Sequence, residues 1–203
     1  MHRTMVGIVA VAIAVACSDA AAPLPPPPVP SSDLHFVLQD TLAPPLYTDS
    51  AAFYAVAGHD REVRLFYRGA SPADSGEEFL RFEVPAGALL RRPDGTSFQP
   101  GDSIRITVRV LDRRKFLFEF LPTGLQFSSA DPARLKIEYH HADHDYDGDG
   151  VVTAADSTIQ TKLDIWQRTP PDTLWTKLGA LNAEELEELE GKIQHFTDHA
   201  LAW

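Results

Sequence analysis

Ile104-Arg105-Ile106-Thr107-Val108-Arg109-Val110 places an aliphatic residue at every second position and a polar one between. That is the period of a strand with one face in a core and one in water. The pattern recurs on both sides. Leu80, Phe82 and Val84 alternate with Arg81 and Glu83; Phe116, Phe118 and Phe120 share one face of a following strand; Leu135, Ile137 and Tyr139 share one face of another. Pro93-Asp94-Gly95, Gln99-Pro100-Gly101-Asp102 and Pro122-Thr123-Gly124 punctuate these runs at short intervals, as antiparallel pairing requires. The expected fold class is mainly β: an antiparallel β-sandwich over residues 33–203, large enough for one core.

Downstream, Leu163–Gln167 and Leu174–Leu178 flank Pro170-Pro171-Asp172 and read as a hairpin, with Trp166 and Trp175 as cross-strand core aromatics. Two short helices are expected. One runs from Ala154 towards Leu163. The other runs from Ala183 to about Glu190, with Asn182 as N-cap, Glu185 completing a capping box, Gly191 as terminator, and Leu186, Leu189 and Ile193 on its buried side.

The sandwich pattern is interrupted by Asp145-Tyr146-Asp147-Gly148-Asp149-Gly150-Val151-Val152-Thr153-Ala154-Ala155-Asp156. Oxygen-bearing residues recur here at the spacing of a twelve-residue calcium loop: Asp145, Asp147 and Asp149 at positions 1, 3 and 5, and Gly150 at the sharp turn of position 6. The Val151 backbone carbonyl, Thr153 and Asp156 occupy positions 7, 9 and 12, with Asp156 where Glu is usual. Starting the loop at Asp143 would place Ala154 at position 12 and lose the closing carboxylate. The expected cofactor is Ca2+, and the expected ligands are Asp145, Asp147, Asp149, Val151, Thr153 and Asp156.

The beginning of the chain reads as an address. Met1-His2-Arg3-Thr4 precedes an apolar run from Met5 to Ala16, long enough for the core of an export signal and short for a membrane span. Ala14-Val15-Ala16-Cys17 resembles the lipobox of bacterial lipoproteins, which implies lipidation of Cys17 after removal of residues 1–16. Cys17 is the only cysteine, so no intramolecular disulfide exists to occupy it. Residues 17–32 are proline-rich and read as an extended tether, roughly 40–50 Å long at about 3.1 Å per residue. The formal net charge is −11, and loss of residues 1–16 removes only Arg3, leaving −12. Such a surface disfavours nucleic acid as a partner.

Phe82-Glu83-Val84-Pro85-Ala86-Gly87-Ala88-Leu89, the run Phe116–Phe120, Pro122-Thr123-Gly124-Leu125-Gln126-Phe127, Pro132-Ala133-Arg134-Leu135 and the closing residues 194–203 together resemble the ZU-five domain. The resemblance implies a β-sandwich used for protein association. The acidic loop is similar to the EF-hand variants of bacterial dockerins, although a strand rather than a helix enters it and only one loop is present.

Local catalytic motifs are absent from the sequence: there is no Gly-x-Ser-x-Gly elbow, no His-Glu-x-x-His and no phosphate-cradling glycine loop. His140, His141 and His144 precede the acidic loop, and imidazole suits zinc, copper or nickel. Strand alternation, however, is expected to send the adjacent histidines to opposite faces. His195-Phe196-Thr197 resembles the His-Phe-Ser motif at which some ZU-five proteins cleave themselves, which would place the scissile bond between Phe196 and Thr197.

The resulting expectation is a non-enzymatic, calcium-binding lipoprotein of the bacterial cell envelope, at the outer membrane or cell surface, held to the membrane through Cys17. Calcium-dependent recognition of a surface protein or glycan is the alternative role.

Overall fold

The computed structural model describes residues 26–69, 71 and 74–203. The expected export signal (residues 1–16), Cys17 and residues 18–25 of the expected tether lie outside the described residues. The described chain is an antiparallel β-sandwich built from β1 (Val29–Pro30), β2 (Ser50–Val56), β3 (Arg61–Arg68), β4 (Ser75–Val84), β5 (Leu89–Arg91), β6 (Ser103–Asp112), β7 (Leu117–Leu121), β8 (Gln126–Phe127), β9 (Ala133–Glu138), β10 (Asp164–Arg168), β11 (Leu174–Lys177), β12 (Leu181–Ala183), β13 (Glu188–Ile193) and β14 (Asp198–Ala202). A single α-helix among the described residues, α1 (Ala154–Gln160), follows the acidic loop. One sheet has the order β1-β11-β10-β14-β7-β6-β2 and the other β12-β13-β9-β4-β3, with β5 and β8 forming a small ribbon.

Phenylalanines join the two large sheets. From the five-stranded sheet, Phe79 lies 5.4 Å from Phe116 and 5.6 Å from Phe118 between ring centres, and Phe82 lies 5.0 Å from Phe120. Phe196 completes the cluster at 5.4 Å from both Phe82 and Phe120. Offset and edge-on contacts of this kind add about 0.5–1.5 kcal/mol per pair beyond the area they bury. Phe79 and Leu80 both face inward although they are adjacent, because the β3–β4 register slips there: Leu65 opposes Leu80 whereas Phe66 opposes Glu78. This bulge lets two consecutive apolar residues enter the core. The opposite face of the five-stranded sheet is charged, with Lys136 Nζ on β9 lying 2.8 Å from Glu188 and 2.9 Å from Glu138.

The hairpin expected around Pro170-Pro171 is present, with Trp166 opposite Lys177, and both tryptophans are buried. They pack on the outer face of the seven-stranded sheet with Leu34, Ala200 and Ala202. Strand β14 is therefore covered on both sides: Leu201 enters the main core, and Ala200 and Ala202 lie beneath the N-terminal segment. That cover begins inside the proline-rich stretch. Val29 pairs with Trp175, and Ser31 Oγ accepts the Trp175 Nε1–H at 2.8 Å. Pro30 is tolerated because β1 is an edge strand.

The helix expected at Ala183–Glu190 does not form. Residues 181–183 are β12, Glu184–Leu186 make one 3₁₀ turn, Glu187 adopts a left-handed conformation (φ 52°), and β13 follows. The physical reason is the open edge of β9, which β13 fills with Leu189 opposite Ile137 and Gly191 opposite Leu135. Leu189, Gly191 and Ile193 face the core at period two, and Leu186, expected inside, is exposed. Six paired residues outweigh a helix preference of tenths of a kcal/mol per residue.

His199 on β14 is fully buried, its ring edge-on to Phe120 at 5.0 Å. Its Nδ1 donates to the Thr197 carbonyl at 3.1 Å, and its Nε2 has no partner among the described residues. Burial pushes the imidazole pKa down to about 3. The folded pKa lies below the unfolded value, so the unfolded chain takes up the proton first. His199 then leaves stability untouched above about pH 6.5 and lowers it by about 1.4 kcal/mol per unit as the pH falls towards 3. Urea titrations at pH 7 and pH 5 are expected to show His199→Leu losing about 2 kcal/mol less than the parent chain over that interval. Equal losses would show that His199 is not held neutral.

Candidate metal centre

The acidic loop is fixed to the sandwich at both ends. On the incoming side β9 stops at Glu138, and Tyr139 and Ala142 are buried in the main core with the Ala142 N–H donating to the Tyr139 carbonyl at 2.7 Å. The next residue, Asp143, donates its N–H to the Leu38 carbonyl at 2.9 Å. Tyr146 packs against the same core. On the outgoing side the loop leads directly into α1, whose end is tied to β12 because Asn182 Nδ2 donates to the Gln160 carbonyl at 2.7 Å. Asn182 Oδ1 also accepts the Tyr139 hydroxyl at 2.9 Å. One side chain therefore connects Tyr139, ahead of the loop, to the helix after it.

Within the loop, Asp145, Asp147 and Asp149 bring carboxylate oxygens within 4.8 Å of one another. Backbone donors hold them there. Asp145 accepts the N–H groups of Asp149 (3.0 Å) and Gly150 (2.7 Å), Asp147 accepts that of Asp149 (3.1 Å), and Asp149 accepts that of Val151 (2.9 Å). Gly150 has φ +88°, a region that L side chains rarely adopt, which explains glycine at the position where the loop reverses.

Asp156 clasps the loop. One of its oxygens accepts the Asp147 N–H at 3.2 Å, and the other accepts the Thr153 N–H at 2.8 Å and the Thr153 hydroxyl at 3.2 Å. Thr153 Oγ1 accepts the Ala155 N–H, so Thr153 and Asp156 form the capping box of α1. The last expected ligand is thus also the first-turn acid of the helix, and it is buried. Val151 exposes its side chain.

The charges are unbalanced. At Asp147 the Asp149 N–H favours the ionised form, but partial desolvation and the neighbouring charges of Asp149, Asp156 and Asp145 outweigh it and raise the pKa. At Asp156 the Thr153 N–H, with further donors from Asp147 and Tyr146, overcomes desolvation and lowers it. Three acids face one another at close range. A shallow groove of about 330 Å3 opens beside Asp145 and Asp147, walled by Phe36, Lys115 and Trp203.

The histidines differ from expectation. Because β9 ends before them, His140 and His141 sit in a turn, and their Nε2 atoms lie 2.8 and 2.9 Å from one oxygen of Glu77 on β4. The adjacent histidines do not alternate between faces because β9 ends at Glu138 and residues 139–142 are not a strand. His144 turns elsewhere, to Glu187 at 2.8 Å. At His195-Phe196-Thr197, Phe196 lies in the main core, and the buried Thr197 hydroxyl donates to the Asp198 carbonyl at 3.0 Å.

No protein family, characterised protein or solved structure matches the chain. The chemistry of the site therefore rests on its own residues.

Asp156→Ala removes both loop-closing acceptors. Amide exchange at Asp147 and Thr153 is expected to quicken at least tenfold while exchange in β6 and β9 stays unchanged. Unchanged protection at Asp147 and Thr153 would contradict the clasp.

Proposed function

We propose that this chain is a calcium-stabilised β-sandwich of the bacterial cell envelope, exported and held at the membrane by lipid on Cys17, with a structural rather than catalytic ion. The observation that carries the calcium reading is the convergence of the Asp145, Asp147 and Asp149 oxygens within 4.8 Å. Hard oxygen donors suit Ca2+, which takes six to eight of them in flexible geometry. The Val151 carbonyl, Thr153 and Asp156 complete the donor set by position. A divalent ion would also relieve the repulsion that raises the Asp147 pKa.

The ion's effect follows from where the loop is tied. Asp143 bonds to the segment at Leu38, and α1 bonds to β12 through Asn182. Closing the loop on an ion would lock these two connections together and stabilise the sandwich edge formed by β9, β13 and β12. The tethered, strongly acidic chain fits display at a surface, away from nucleic acid.

Thermal unfolding in calcium and in chelator tests this reading. At a free calcium concentration a hundred times the dissociation constant, stabilisation is about 2.7 kcal/mol, or about 5–10 °C for a domain of this size. Asp145→Ala is expected to abolish the difference. Identical curves with and without calcium would overturn the reading.

A further inference from the structure

Glu77, His140 and His141 form a second cluster of metal-binding character, chemically unlike the acidic loop. Their ligating atoms all lie within 4.8 Å of one another. The two imidazoles come from adjacent residues after β9, while Glu77 comes from β4, the neighbouring strand. Both Nε2 atoms approach the same Glu77 oxygen, at 2.8 and 2.9 Å. The ring centres are 4.4 Å apart and inclined by 52°, so the nitrogens converge without the rings stacking.

The surroundings hold this arrangement. Tyr67, buried beneath it, packs edge-on to His141 at 4.5 Å and to His140 at 6.1 Å. Its hydroxyl has no hydrogen-bond partner among the described residues. The Glu138 carboxylate lies 3.8 Å from His140 Nδ1. Once Nε2 is given to a metal, a carboxylate on the Nδ1 side of the ring favours the proton on Nδ1, the outer-shell arrangement commonly found around histidine ligands.

We propose that Glu77, His140 and His141 bind a zinc-type divalent transition ion through the two Nε2 atoms and a Glu77 carboxylate oxygen. Bonds of about 2.0–2.2 Å in a tetrahedral shell set donors about 3.3 Å apart, so each contact needs to open by only a few tenths of an ångström. Imidazole nitrogen selects zinc, copper or nickel over calcium, which prefers oxygen. On binding, the two N–H···O contacts give way to metal–ligand bonds, and the displaced protons pass to Nδ1 or to solvent. Three protein ligands leave a fourth position for water or an external donor. The ion would pin β4 to the turn that leads into the acidic loop.

The inference does not depend on calcium binding at Asp145. Zinc titration of the purified chain by calorimetry, with calcium held in excess, is expected to give one saturable site per chain. Cobalt titrated in place of zinc is expected to give the intense visible absorption of a low-coordinate site. Glu77→Gln or His141→Ala should weaken binding 10–100-fold, and the His140→Ala/His141→Ala pair should abolish it. His144→Ala should leave it unchanged. Absence of saturable zinc binding and of the cobalt bands in the parent chain would overturn the proposal, as would undiminished binding in the double variant.

Discussion

Aromatic contact between two sheets is the constraint on which the rest of this molecule depends. Phe79 and Phe82 on β4 meet Phe116, Phe118 and Phe120 around β7, and Phe196 fills the space between them. Burying each ring contributes on the order of 2–3 kcal/mol. That packing fixes the spacing of the sheets and brings β9 alongside β4. It also places Tyr139 and Ala142 in the core, so the acidic loop emerges from a rigid base. Neither metal candidate would have a defined shape without it. Glu77 reaches His140 and His141 only because β4 and β9 are paired.

The two candidate centres use opposite strategies. The acidic loop collects like charges and holds them with backbone donors, leaving a net negative field that an oxygen-seeking dication would satisfy. The Glu77 cluster collects nitrogen and one carboxylate over a buried phenol. Three residues, Ala142 to His144, separate the two along the chain, and they run through Ala142 in the core and the Asp143 bond to Leu38. Ions at the two places would brace one segment from both ends.

How much was legible in the sequence follows from the range of the interactions. Strand β6 was readable because alternation is local, and Ile106, Val108 and Val110 are buried as their spacing requires. The convergence of Asp145, Asp147 and Asp149 was readable for the same reason, since the hydrogen bonds that shape the acidic loop connect residues no more than nine apart. Residues 183–190 misled because Leu186, Leu189 and Ile193 fit a helical period while Leu189, Gly191 and Ile193 fit a strand. The deciding partner, β9, lies some fifty residues away. The histidine pair misled because the end of β9 cannot be seen in the alternation, and Glu77 is 63 residues from His140. The bulge at Phe79 was invisible to a strict period of two.

The most direct test of the central claim is a crystal structure of the chain grown with calcium. The account predicts one ion within 2.3–2.6 Å of oxygens from Asp145, Asp147 and Asp149, with the Val151 carbonyl in its shell. An acidic loop without an ion at saturating calcium, its three carboxylates turned apart into solvent, would contradict it.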